Sequence, residues 1–167
     1  MTSQHHIAQA LDSTAVRKIP AEPTGAAQIF QFHCKTNILH SVLTLKSRIQ
    51  VKYSRDQVTA CNCTVCRRYG VLWAYGYFND DIRSYGKTTT YRRKDGGAID
   101  FHFCAKCGCV THYIRTAAGA GGRHRTAVNL RLCDPDLIFE LPIDHFDGQK
   151  TFEELARDGR KVGDMWF

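Results

Sequence analysis

The sequence predicts an all-β domain with little helix, and three observations support this. Several short segments alternate apolar and polar residues, which is the pattern of half-buried strands. Gly, Asn, Asp and Pro residues separate these segments at short intervals and predict turns. Helical periodicity is almost absent from the 167 residues. We therefore expect twisted β-sheets that pack around one core.

Local patterns predict the individual elements in order along the chain. Strands or extended segments are predicted at 39–45, 49–53, 71–78, 88–93, 98–103, 110–115, 126–132 and 138–146. The Gly-containing turn at 94–97 joins two of them as a hairpin. A helix is predicted at 151–158, where Thr151 and Glu154 have the spacing of a capping box.

The length of 167 residues suits one domain with a single core. Residues 1–28 carry two prolines and little periodicity, and we interpret them as an N-terminal tail or irregular lead-in. Residues 29–150 form the predicted β domain. Residues 151–167 form the predicted short C-terminal helix and tail.

The charge distribution favours an anionic partner and gives no sign of a membrane protein. The net charge is +7, and residues 17–131 hold 19 Lys and Arg against 6 Asp and Glu. Such a basic body suits nucleic acid or a small acidic ligand. No run approaches the roughly 20 apolar residues of a membrane-spanning helix. Residues 1–13 lack the features of a secretory signal, so we expect a cytoplasmic protein without a membrane partner.

Cysteine spacing predicts metal binding. Eight cysteines are present, and in a reducing compartment thiols more often bind metal than form disulfides. Residues 61–66 read C-x-C-x-x-C and residues 104–109 read C-x-x-C-G-C. Zinc, one ion or two, is the favoured metal because it takes four tetrahedral ligands, many of them thiolates, and an iron–sulfur cluster is the competing interpretation. The candidate ligands are Cys34, Cys61, Cys63, Cys66, Cys104, Cys107 and Cys109.

Three motifs resemble one known family. They are CNCTVCRR at 61–68, FHFCAKCG at 101–108 and VNLRL at 128–132. In these motifs the chain resembles the glutathione-dependent formaldehyde-activating enzymes and centromere protein V, over residues 30–148. The resemblance implies twisted β-sheets around a zinc-binding core with two zinc sites. In that family a C-x-C-x-x-C holds zinc with three thiolates and leaves a position for the substrate thiol.

The same resemblance assigns roles to the cysteines. It places Cys61, Cys63 and Cys66 in the catalytic-type zinc site. The family's structural site joins an early C-x-C to the later C-x-x-C, which here corresponds to Cys104 and Cys107. In the early motif Cys34 matches the first cysteine, and Thr36 stands where the second cysteine is expected. Cys109, a histidine or water could supply the missing ligand.

The implied activity is a zinc-dependent carbon–sulfur lyase acting on a glutathione-type thiol and formaldehyde or a similar aldehyde. Zinc with three thiolates and an open position deprotonates an incoming thiol, and the resulting thiolate adds to the carbonyl carbon. Arg67 and Arg68, directly after Cys66, are the predicted binding residues for the substrate's carboxylates.

A non-catalytic zinc-binding module is the alternative function. If Cys109 completes the set of three cysteines at 61–66, that zinc is structural. The basic face would then bind a protein or, less favoured, a nucleic-acid partner. The basic patches at 92–94 and 123–125 would serve such binding, although no recognised nucleic-acid motif accompanies them.

Overall fold

A computed structural model describes residues 28–33, 47–53, 57–94 and 97–165. Within these ranges the chain is mostly β, as the sequence predicts, with one short helix, α1, at Thr64–Tyr69. The strands are β1 Gln28–His33, β2 Ser47–Tyr53, β3 Val58–Cys61, β4 Leu72–Tyr77, β5 Ile82–Gly86, β6 Thr88–Arg92, β7 Ile99–Cys104, β8 Val110–Arg115, β9 Arg125–Asn129, β10 Ile143–Phe146 and β11 Glu154–Leu155.

The described strands form two sheets. The smaller sheet has the order β1-β2-β5, and the larger one has the order β11-β10-β3-β4-β9-β8-β7-β6. Neighbouring strands are antiparallel except for β3 and β10, which pair in parallel with Cys61 opposite Phe146. This pairing brings the chain after residue 146 next to the first cysteine motif, although the two are about 85 residues apart.

Apolar side chains on the two faces of the larger sheet form two clusters. One face packs against the smaller sheet, where Ile49 and Ile82 join Ala74 and Val128 in one core cluster. Successive strand residues point to opposite faces. Trp73 therefore points away from Ala74, into the second cluster, together with aromatic residues of β7 and β8 and with Cys66. The larger sheet thus has a core on both faces.

Most predicted strands are confirmed. The hairpin predicted around 94–97 is β6 paired with β7, and the segments at 49–53, 71–78 and 110–115 correspond to β2, β4 and β8. The strand predicted at 126–132 ends at Asn129, where a 3-10 turn at Leu130–Leu132 follows. The segment at 39–45 lies outside the described residues, as does the tail at 1–28 apart from Gln28, which begins β1.

The helix predicted at 151–158 is wrong. Phe152 has a φ of 59°, which an α-helix does not accommodate, and Glu154–Leu155 pair with β10 as β11. Thr151 does not cap a helix; its N–H donates to the Asp147 carboxylate in a turn. The described part of this segment contains one short helical element, a 3-10 helix at Val162–Met165. No helix in the described ranges is long and apolar enough to cross a bilayer.

Candidate metal centre

Cys61, Cys63 and Cys66 bring their sulfur atoms together. Cys61 ends β3, Cys63 precedes α1, and Cys66 lies within that helix. The three Sγ atoms lie within 4.8 Å of one another, a spacing that one metal ion can bridge. Among the described residues, no other group of three or more His, Cys, Asp or Glu residues places its ligand atoms within 4.8 Å of one another.

The local backbone explains why the sulfurs converge. Cys63 is the N-cap of α1, and Cys66 follows three residues later, so both lie on the same side of the first helical turn. The Cys63 N–H donates to Cys61 Sγ at 3.4 Å, and the Cys66 N–H donates to Cys63 Sγ at 3.5 Å. The helix ends at Gly70, whose φ of 58° suits glycine and whose N–H donates to the Cys66 carbonyl.

Residues 147 and 148 hold the cysteine loop from the outside. The Asn62 side chain donates to Asp147 Oδ1 at 3.0 Å and accepts from the Gly148 N–H at 2.9 Å. Gly148 lies so close to the sulfurs that a Cβ there would come within 2.5 Å of Cys61 Sγ and 2.9 Å of Cys63 Cβ. The cluster therefore requires glycine at 148 because no larger residue fits without moving a sulfur.

Trp73, on β4, contacts the cluster through its side chain. Its indole Nε1–H donates to Cys66 Sγ at 3.2 Å, and both side chains are buried. The Trp73 ring meets the Tyr113 ring edge-on at a centroid distance of 5.1 Å. An N–H donor stabilises a sulfur that carries negative charge, so Trp73 favours the thiolate form of Cys66.

The pKa values of the three thiols differ from one another. Hydrogen bonds from the Cys61 and Cys66 thiols hold the pKa of Cys63 far below its usual range. The hydrogen bond to Cys63 is the largest cause that raises the pKa of Cys61 to about 11. The hydrogen bonds with Cys61 and Cys63, and then burial, raise the pKa of Cys66. Cys63 is therefore the sulfur that carries negative charge, and binding of a divalent cation requires Cys61 and Cys66 to lose their protons as well.

A cleft of about 300 Å³ opens beside the cluster. Cys61, Cys66 and Asn62 form part of its wall, and Arg67, Arg131 and Arg160 line it as well. No Asp or Glu is among the described residues that line it. The remaining lining residues are mostly apolar: Ala60, Gly70, Val71, Leu72, His145, Phe146, Leu155 and Met165.

The two predicted binding arginines differ in position. Both are exposed, but Arg67 lines the cleft, whereas Arg68, its neighbour on α1, does not belong to the cleft wall. Successive helical residues are about 100° apart around the axis, so two adjacent side chains point in different directions. The structure thus brings Arg67, but not Arg68, next to the cysteines.

The second cysteine motif does not form a comparable cluster. Cys104 is buried at the end of β7, while Cys107 and Cys109 are exposed in the turn before β8. The turn is closed by the Gly108 N–H, which donates to the Cys104 carbonyl at 2.9 Å. These three thiols do not meet the spacing of the first group, and Cys109 is not part of that group. Cys34 lies outside the described residues.

The predicted basic patches make contacts within the chain. Arg92 donates to both carboxylate oxygens of Asp100 at 2.6 Å. The guanidinium of Arg123 lies 3.9 Å from the centre of the Tyr77 ring, and that of Arg125 lies 5.0 Å from the Tyr75 ring. Part of the basic surface is therefore engaged by the fold itself.

Sequence patterns indicated the ligands but not the residues that support them. Asn62 lies inside the motif, yet its partners at 147 and 148 come from the far end of the domain. Trp73 lies outside the cysteine motif, and its hydrogen bond to Cys66 depends on the pairing of β3 with β4. Apart from the place of Arg131 in the VNLRL motif, the sequence does not indicate that this residue belongs to the site.

Comparison with known proteins yields one similar structure. No family model and no curated protein matches the chain. The crystal structure of a Rhodobacter sphaeroides protein, a structural-genomics target, is similar with a TM-score of 0.48 and 21% sequence identity. The similarity covers 68% of this chain and 98% of that one.

Proposed function

We propose that this chain is a zinc-dependent carbon–sulfur lyase that binds a glutathione-type thiol at Cys61, Cys63 and Cys66. One observation carries the proposal: three sulfurs gather beside a cleft, with no fourth ligand atom grouped with them among the described residues. Three protein ligands and one open position are typical of catalytic zinc sites, whereas structural sites have four protein ligands. The sequence motifs shared with the formaldehyde-activating enzymes support the same assignment.

The donor set suits zinc. Thiolates are soft ligands, and three of them with one open position fit the four-coordinate preference of zinc. An iron–sulfur cluster needs a fourth cysteine, which the described residues do not supply at this site. When bound, zinc supplies the positive charge that keeps the substrate's sulfur deprotonated at neutral pH.

The reaction joins the substrate thiolate to an aldehyde. The sulfur lone pair forms a bond to the carbonyl carbon, the carbonyl π pair moves to oxygen, and the oxygen takes a proton to give an S-hydroxymethyl thioether. The reverse reaction breaks that carbon–sulfur bond. The oxygen takes this proton from solvent in the cleft, because the His145 Nε2 atom is buried 3.1 Å from Asp158 Oδ2. Arg67 holds an anionic part of the substrate.

The test measures metal content and turnover on the full chain. We expect about one zinc ion bound at this cluster. S-hydroxymethylglutathione should form from glutathione and isotopically labelled formaldehyde, followed by NMR, faster than it does without the protein. Cys63→Ser should remove both the zinc and the activity, and Cys109→Ser should retain the zinc at this cluster. A protein that keeps its zinc but shows neither turnover nor thiol binding would instead be a non-catalytic zinc module.

A further inference from the structure

We propose that Arg131 and Arg67 form a carboxylate-binding subsite in the cleft, and that Arg131 makes the site selective for thiols that carry a carboxylate. The inference rests on the proposed function, because it concerns the part of the substrate that does not touch the metal. It differs from the sequence-based prediction, which paired Arg67 with Arg68.

The cleft geometry selects these two arginines. Arg67 and Arg131 line the same cleft as Cys61 and Cys66, whereas Arg68 does not line it. Arg160 also lines it, but its Nε donates to Asp158 Oδ2 at 2.6 Å, so its charge is already compensated. No acidic side chain among the described residues forms an ion pair with Arg67.

Arg131 is placed by the fold rather than by a flexible loop. The Asn129 Oδ1 atom accepts from the Arg131 N–H at 3.2 Å and from the Leu72 N–H at 3.1 Å. The Asn129 side chain also donates to the Val110 carbonyl at 2.9 Å, which ties the 3-10 turn to β8. The Arg131 side chain passes the end of α1, where a Cβ built on Gly70 would lie 3.8 Å from Arg131 Nε.

The surroundings of Arg131 favour an anion. Its side chain is half-buried, and burial lowers the pKa of its guanidinium because a charge removed from water is less stable. A carboxylate in the cleft restores the lost stabilisation through charge-assisted hydrogen bonds, in which a guanidinium can donate two at once. The apolar residues that line the same cleft then contact the carbon chain of the ligand.

The test compares two small thiols that differ in charge. Mercaptopropionate carries a carboxylate, and mercaptoethanol carries a neutral hydroxyl in its place. Both are titrated against the full chain loaded with Co²⁺, whose visible absorption reports a thiol entering the metal's coordination sphere. We expect the unmodified chain to prefer mercaptopropionate, and Arg131→Met to reduce this preference by about tenfold while mercaptoethanol binding stays unchanged.

Control variants separate the possible outcomes. Arg131→Lys should retain part of the preference, since it keeps the charge but not the forked donors. Arg68→Met should leave the preference intact, and Arg67→Met provides a second test if Arg131→Met does not fold. The subsite assignment is overturned if both thiols bind but Arg131→Met and Arg67→Met keep the full preference for mercaptopropionate. It is also overturned if these variants lower the affinities for both thiols equally. If neither thiol changes the Co²⁺ spectrum of the unmodified chain, the proposed function fails first and this assignment fails with it.

Discussion

Two cysteine motifs of equal length lie in different local structures. The first motif, residues 61–66, spans the end of β3 and the start of α1 and gathers three sulfurs. The second motif, residues 104–109, forms the turn between β7 and β8, with one buried and two exposed thiols. A helical turn places residues three apart on one side. In the second motif the Cys107 and Cys109 thiols form a hydrogen bond with each other, but Cys104 does not complete a group of three.

The two motifs also differ in their surroundings. The first motif is held by the Asn62 side chain, by Gly148 against Cys61 and by the Trp73 indole N–H. The second motif is closed by backbone bonds of its own turn, from the N–H groups of Cys104 and Gly108. Cysteine spacing therefore identifies candidate ligands, and the residues packed around them decide which set is ordered for a metal.

Loss of a ligand should have the largest effect. We expect Cys66→Ser to weaken Co²⁺ binding at the first motif by more than about 100-fold, because removing a ligand exceeds the effect of removing a supporting residue. The measurement is a Co²⁺ titration followed by sulfur-to-cobalt charge-transfer absorption. Cys107→Ser, in the exposed turn, is the matched control and should leave that binding intact. Equal losses in the two variants would show that both motifs serve one site.

Filling the space at Gly148 should come next. In Gly148→Ala the new methyl group would overlap Cys61 Sγ, so the loop or the sulfur must move, and we expect metal affinity to fall by about 10- to 100-fold. Gly119→Ala is the control, because a Cβ there meets its nearest atom at 3.6 Å, an ordinary contact. Unchanged Co²⁺ affinity in Gly148→Ala would mean that the 147–148 segment does not support the cluster.

The folding stability of the chain should depend on pH through His112, which lies on the hairpin that carries the second cysteine motif. His112 on β8 is buried, stacks on His102 at 4.2 Å and lies opposite Val128, so it points away from the face that holds Cys66. Burial lowers its pKa from 6.5 to about 3. The unfolded chain therefore binds the extra proton first as pH falls, and folding stability declines below pH 6.5.

This decline can be measured directly. Between pH 8 and pH 5 we expect His112 to account for about 2 kcal/mol of lost unfolding free energy, measured by urea denaturation. His112→Gln should flatten this part of the pH profile even if it lowers stability overall. A steep slope retained in His112→Gln would contradict the assignment.

The smallest effect is expected at Trp73. Trp73→Phe keeps an aromatic ring in the core but removes the N–H that donates to Cys66 Sγ. One hydrogen bond of about 1 kcal/mol corresponds to about a fivefold loss of metal affinity. In the unmodified chain Trp73 fluorescence should change on metal binding. An affinity equal to that of the unmodified chain would show that this bond does not help to hold the thiolate.

The sequence predicted much of the fold but little of the support around the site. Alternation predicted β2, because a strand with one face in the core shows a two-residue period, and the aromatic-rich run at 71–78 predicted β4. The helix at 64–69 was missed because six residues are too few for helical periodicity to appear. The false helix at 151–158 rested on a capping pattern, and the pairing of β11 with β10 outweighed that local preference.

Chain chemistry alone determined the fold class and the candidate cysteines, since side-chain alternation and cysteine spacing are local properties. Tertiary structure decided which cations line the cleft beside the cluster: Arg131 does so from the 3-10 turn after β9, while Arg68, two residues from Cys66, does not. The tertiary structure also decided that Gly148 lies in close contact with Cys61. The reason is that strand pairing joins residues far apart in sequence, and no local pattern records those contacts.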